Sequence, residues 1–179
     1  MDTEEYYSRY DNLSRMIIRA YTLLYSIDAI GDPGSPSLDP FNVVGYIDEI
    51  LKYMLGLTIW QIYYDKDPCA NTLSHLHNRI DGNRVKTPKK TLEKFRKTID
   101  DIRNEYMAHN DIEKSGKKIL INDLSKLLDE LRKWLNSLCR PDLDSRVSEI
   151  TDDELEARKK AVYAGFRSLL DGKNRVEEW

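Results

Sequence analysis

Apolar residues recur at alternating spacings of three and four along this chain, and this pattern limits its fold more than any other feature. The clearest example contains Leu92, Phe95, Ile99, Ile102, Tyr106 and His109. This spacing places all six on one face of an α-helix, whereas a half-buried strand needs a spacing of two. It predicts a helix from about Pro88 to Asn110 whose apolar face ends in a histidine.

Four further main helices are predicted from similar patterns. The first runs from about Asp2 to Ile30, and its apolar face consists of Leu13, Ile17, Ala20, Leu24 and Ile27. The second opens near Pro40 and stops before Pro68, with an apolar face formed by Val43, Ile47, Ile50, Met54, Leu57 and Ile62. Aromatic residues crowd its end at Trp60, Tyr63 and Tyr64. A short helix follows at about Thr72–Ile80.

The last two helices have equally clear signals. One has an apolar face formed by Leu124, Leu127, Leu128, Leu131, Trp134, Leu135 and Leu138. The other begins at a capping-box pair, Thr151 and Glu154, with an apolar face of Leu155, Val162, Phe166 and Leu169. We therefore predict an all-α fold, a mostly antiparallel bundle of about five main helices forming a single domain over residues 1–179.

Composition excludes several classes of protein. No stretch reaches the roughly 18 uninterrupted apolar residues of a membrane span, and no signal-like segment follows the acidic start, so we expect a soluble, cytoplasmic protein without a membrane partner. Cys69 and Cys139 are then most simply free thiols, with a disulfide between them as the alternative.

The net charge of −3 does not indicate general nucleic-acid binding by the whole chain. However, Arg79–Lys118 holds twelve Lys/Arg and seven Asp/Glu, a net charge of +5 that suggests either a solvated face or a local anion-binding patch.

Chemistry is concentrated near the end of the 88–110 helix. His109 taken alone is typical of a half-buried histidine that bonds a last-turn carbonyl. Arg103 and Asn104 lie about two turns earlier on the same helix, and together with His109 they suggest a site that binds and cleaves a phosphodiester. Arginine offers a planar fork of donors to phosphate oxygens, and histidine transfers protons near neutral pH. RNA supplies its own nucleophile, the 2′-OH, so these groups suit cleavage without metal.

The segment Arg103-Asn104-Glu105-Tyr106-Met107-Ala108-His109 resembles the Arg-polar…His signature of the HEPN superfamily, the prokaryote and eukaryote nucleotide-binding helical domains. The wider pattern, from Ile102 to Asp111, looks most like the abortive-infection branch. Trp60-Gln61-Ile62-Tyr63-Tyr64-Asp65 is similar to the aromatic-Asp stretch of that branch. The resemblance covers roughly Phe41–Asp111.

The resemblance implies a ribonuclease in a toxin–antitoxin or antiphage role, without cofactor or metal. It implies a homodimer in which two 88–110 helices face each other, RNA as substrate, and an antitoxin protein as a further partner. Arg103 would stabilise the scissile phosphate, His109 would act as general acid or base, and Asn104 would orient one of them or bind phosphate. One toxin subgroup has a modifiable tyrosine where this chain has Asp111, so that route of regulation is not expected.

Other sites and functions are weaker alternatives. His75 and His77 lie ~200° apart on a helix and do not form a metal site. Tyr6, Tyr7 and Tyr10 are expected in the core or an interface rather than as base-stacking residues. The chain could instead be a non-catalytic module that binds a nucleotide, nucleic acid or partner protein, or a helical domain without a site.

Overall fold

The helical class predicted from sequence is confirmed. In the computed structural model, the residues described are 2–31, 43–65, 67, 70–80, 90, 92–97, 99–100 and 121–173, without the side chains of 43–46, 49 and 169–173. Within these ranges every regular element is a helix. The elements are α1 (Thr3–Ile30), α2 (Val43–Ile59) with a π-helical turn (Trp60–Tyr64) directly after it, α3 (Leu73–Arg79), α4 (residues 90, 92–97 and 99–100), α5 (Ile121–Ser137) and α6 (Asp152–Lys173).

Helix α1 lies at the centre of the bundle and packs against α2, α3, α5 and α6. Its start is the predicted one, because the Asp2 side chain accepts a hydrogen bond from the Glu5 backbone N–H at 2.7 Å and caps the first turn. Its predicted apolar face is also confirmed, since all five of its members are buried. The central helix therefore takes its position from the periodicity of its own sequence.

Helix α5 supplies the second large part of the core. All seven residues of its predicted apolar face are buried. Its end is joined to the start of α6 by Asn136, whose amide donates to the Ile150 carbonyl and accepts from the Ile150 N–H, both at 3.0 Å. The Thr151 hydroxyl then caps α6 by accepting from the Glu154 N–H at 3.2 Å, as the sequence predicted.

Two N-terminal tyrosines connect α1 to the segment after α5. Tyr6 and Tyr10 are each only 1% exposed, which confirms the prediction that they belong to the core. The Tyr6 hydroxyl donates to the Leu138 carbonyl and accepts from the Arg140 N–H, while the Tyr10 hydroxyl donates to the Ser148 carbonyl. A buried tyrosine needs such a partner for its polar end. These bonds therefore hold residues 138–148 against the first turns of α1.

The predicted apolar face of the second helix is confirmed at Ile62, which is buried in the π-helical turn, but it is wrong within α2 itself. Ile47 and Ile50 are 42% and 44% exposed, and Met54 and Leu57 are only half-buried. The buried side chains described on α2 are instead Tyr53, Leu55, Thr58 and Ile59. The reason is that α2 is apolar nearly all round, so its sequence does not define which side faces the core.

The predicted face of α6 is confirmed only at its start. Leu155 is buried, whereas Val162 and Phe166 are half-buried. The side chain of Leu169 is not among those that the structure describes. Because α6 packs mainly against α1, one neighbouring helix covers this face only in part. Among the described residues, no helix combines the length and apolar character needed to cross a membrane.

Candidate functional site

Helix α4 is the described part of the element predicted to carry the catalytic residues. Leu92, Phe95 and Ile99 are buried, so the first half of the predicted apolar face does point into the core. The second half of that face lies outside the described residues. The same holds for the whole predicted site of Arg103, Asn104 and His109, and for Asp111, Cys69, Pro40 and Pro88. Their placement remains a prediction from sequence.

The aromatic end of α2 is bonded to the start of α4. The chain widens into a π-helical turn over Trp60–Tyr64, closed by a hydrogen bond from the Asp65 N–H to the Trp60 carbonyl at 3.0 Å. This turn buries Tyr64, whose hydroxyl donates to the Leu92 carbonyl at 2.5 Å. Burial is the main cause that raises the pKa of Tyr64, so the hydroxyl stays protonated and remains a donor. Single-turn π-helical segments are frequent at functional sites.

Aromatic packing extends from this turn to α3 and α5. The Tyr63 ring meets those of Tyr64 and Trp134 edge to face, with centroids 4.7 and 5.7 Å apart. The Trp134 indole N–H donates to His77 Nδ1 at 3.2 Å. Because an indole nitrogen only donates, this His77 nitrogen is unprotonated in the bond. Such edge-to-face contacts are typical of a packed core, and they engage the ring of Tyr63.

The two histidines of α3 do not act together. His75 Nδ1 lies 2.6 Å from the Ala70 carbonyl, which can only accept, so this nitrogen carries a proton. His77 has the contact with Trp134 described above. Within the described ranges, no group of three or more His, Cys, Asp or Glu side chains could hold a metal ion.

Charged side chains on α4 are divided between two faces. Arg96 lies 3.5 Å from Glu93 and 3.8 Å from Asp100, so one flank of the helix carries its own ion pairs. Lys90, Lys94 and Lys97 are exposed, and none of them has a carboxylate partner among the described residues. The three lysines therefore lie without a described carboxylate partner, next to the side of α4 where Arg96 is paired with Glu93 and Asp100.

A cleft of about 160 Å³ lies between α1, the 146–150 segment and the start of α6. Its two arginines are already paired, Arg15 with Asp11 at 2.8 Å and Arg146 with Asp144 at 2.6 Å. Arg146 also lies over the Tyr7 ring, 3.9 Å from its centroid. Because both guanidinium groups are already bound to carboxylates, this cleft is a poorer phosphate site than the surface of α4.

Together the described residues define a class, an all-α helical bundle whose fourth helix has a buried apolar face and an unpaired basic face. No protein-family model, curated protein or solved structure matches the chain. The case for its chemistry therefore comes from its own residues and from the resemblance of residues 60–65 and 102–111. Sequence reasoning did not single out the three lysines, although their spacing of four and three is visible in the sequence.

Proposed function

We propose that this chain is an endoribonuclease of the HEPN type that cleaves RNA without a metal ion. The reaction is attack of an RNA 2′-oxygen on the adjacent phosphorus, with departure of the 5′-oxygen of the next nucleotide. His109 transfers a proton, either from the 2′-OH as general base or to the departing oxygen as general acid. Arg103 binds the phosphate oxygens and stabilises the charge that develops on them, while Asn104 orients one of these groups or binds phosphate.

The observation that carries this proposal is the bond between Tyr64 and Leu92. Two separate segments resemble the family, residues 60–65 and residues 102–111, and they are distant in sequence. The Tyr64 hydroxyl joins the first segment to α4, the helix in which the second is predicted to lie. A chance likeness gives no reason for the first segment to pack against the helix of the second.

The proposed enzyme acts as a homodimer through the 88–110 helix, with RNA as its substrate. Two motif helices then line one cleft, where excluded water strengthens the interactions of Arg103 with phosphate. By the same resemblance, the enzyme serves a toxin–antitoxin or antiphage system in the cytoplasm and is held inactive by an antitoxin protein.

Incubation with labelled single-stranded RNA in EDTA tests the proposal directly. We expect the wild type to cleave, and His109→Ala and Arg103→Ala each to slow cleavage by about 10²–10⁴-fold, the usual contribution of a proton-transfer group or a phosphate-binding donor. Arg15→Ala is the matched control, because Arg15 is exposed and pairs with Asp11 on α1. Cleavage that survives both motif substitutions would refute the assignment.

A second candidate function is a non-catalytic module that binds a partner protein. The specific observation in its favour is the apolar surface of α2, where Ile47 and Ile50 are 42% and 44% exposed. Neighbouring exposed apolar residues on one helix face are typical of a surface that another helix covers. In that case no RNA would be cleaved, and the 102–111 segment would serve as an interface element.

A further inference from the structure

We infer that Lys90, Lys94 and Lys97 form a row on α4 that binds the phosphate backbone of single-stranded RNA. The inference rests on the proposed function for its choice of RNA as ligand. It goes further by assigning substrate binding to side chains outside the predicted catalytic set. These three residues are called the lysine row below.

The lysine row lies on the side of α4 opposite the core. A helix turns ~100° per residue, so the three lysines fall within about 60° of one another. Leu92, Phe95 and Ile99, which are buried, fall within a similar arc on the opposite side. The row therefore points away from the core formed by the described helices, and its three side chains are exposed.

Among the described residues of α4, no carboxylate pairs with the row. Glu93 and Asp100 lie on the flank of α4 and both contact Arg96. Two lysines on other helices are paired, since Lys52 contacts Asp48 and Lys133 contacts Glu130 one helical turn away. Three positive charges without carboxylates are unfavourable to each other by Coulomb repulsion, and a polyanion would relieve that repulsion.

The spacing of the row suits a flexible backbone rather than a base. Along the helix axis the lysines are separated by about 6 and 4.5 Å, so the row spans roughly 10 Å. Lysine is a flexible point charge that lacks the planar fork used to read base edges. Contacts of this kind position a nucleic acid and add affinity without sequence preference. The row therefore contributes to KM and salt dependence, whereas the chemistry belongs to Arg103 and His109.

The test compares wild type with the triple variant Lys90→Gln, Lys94→Gln, Lys97→Gln. Glutamine removes the charge but keeps a good helix former, and helical circular dichroism checks the fold. The probe is a fluorescent single-stranded RNA with 2′-O-methyl groups, which binds but cannot be cleaved by 2′-OH attack. Each lost phosphate contact lowers the slope of log affinity against log salt by about 0.7, so we expect a slope about 2 units shallower. Between 50 and 200 mM salt, the wild type should lose roughly tenfold to twentyfold more affinity than the variant.

A second triple variant controls for net charge. Lys126→Gln, Lys133→Gln and Lys160→Gln remove the same three charges from exposed positions on α5 and α6. The slope of this control variant should stay within about 0.7 of the wild-type slope, which is the change expected for one phosphate contact. Equal slopes for the two triple variants, or no binding of the probe by the wild type, would overturn the inference.

Failure of the inference can be told apart from failure of the proposed function. If the probe binds through the lysine row but unmodified RNA is never cleaved, the row stands and the ribonuclease proposal fails. If RNA is cleaved and neither KM nor its salt dependence changes in the row variant, the ribonuclease stands and the row is wrong.

Discussion

Tyrosine hydroxyls make several of the specific connections between distant parts of this bundle. Four of them, from Tyr6, Tyr10, Tyr21 and Tyr64, donate to groups at least 28 residues away in sequence. Each combines a large buried ring with one directed bond, so apolar burial stabilises the contact while the bond selects its geometry. The bond from Tyr64 holds the start of α4 against the end of α2.

The stability contributed by Tyr6 is predicted to disappear at alkaline pH. Burial raises the pKa of Tyr6 from its ordinary value of 10.0 to about 12, against the opposing effect of its bond with the Arg140 N–H. The unfolded chain therefore loses this proton first. The contribution is fully present below about pH 10 and is lost as the pH rises through about 12.

Comparison with Tyr6→Phe isolates this effect from the titration of other groups. At pH 7 the free energy of unfolding of Tyr6→Phe should be about 1–3 kcal/mol lower than that of the wild type, because the Arg140 N–H and the Leu138 carbonyl lose a partner. Urea unfolding from pH 7 to pH 11.5 should then show the difference between the two proteins shrinking above about pH 10. A difference that stays constant or grows would contradict the assignment.

The helices differ in how far their sequences determine their packing. In α1 and α5, polar residues occupy the outward positions and apolar residues the inward ones. The sequence therefore predicts the buried face of each helix residue by residue. In α2 that contrast is missing, and the buried side depends on neighbours that periodicity does not reveal. The π-helical turn was not predicted either, because it depends on the fit of Tyr63 and Tyr64 against α4 and α5. The lysine row could have been found from its spacing, but that no carboxylate among the described residues pairs with it is visible only in three dimensions.

A pair of substitutions on α2 tests the corrected orientation. Leu55 is fully buried, so Leu55→Ala should lower the free energy of unfolding by about 2–5 kcal/mol through lost burial and a cavity. Ile50 is 44% exposed, so Ile50→Ala should change it by no more than about 0.5 kcal/mol. Both variants remove aliphatic carbons from the same helix, so each controls for the other. A larger loss for Ile50→Ala than for Leu55→Ala, measured by urea unfolding, would mean that the sequence-based orientation was right.

On the scale of the whole molecule, positive charge is concentrated in one part of the chain. The Arg79–Lys118 segment carries +5 within a chain whose net charge is −3, so the remainder carries −8. An acidic chain repels a polyanion such as the proposed RNA substrate, so we expect the basic segment to be the part that attracts it. The lysine row and the predicted site both lie in this segment. One lysine row is a short binding surface for RNA, and in the proposed homodimer the two rows would together form a longer one.

The proposed dimer therefore has a kinetic consequence. If the cleft forms only when two 88–110 helices face each other, cleavage per protomer should fall once the protein is diluted below the dimer dissociation constant. Cleavage of labelled RNA and sedimentation velocity would be measured over the same protein concentrations, with an inert carrier protein to prevent surface loss. The fall in specific activity should follow the fraction of dimer, since a monomer would hold only half of the cleft. Constant specific activity across the range where dimers dissociate would show that one protomer contains a complete site, and RNA recognition would then depend on a single lysine row.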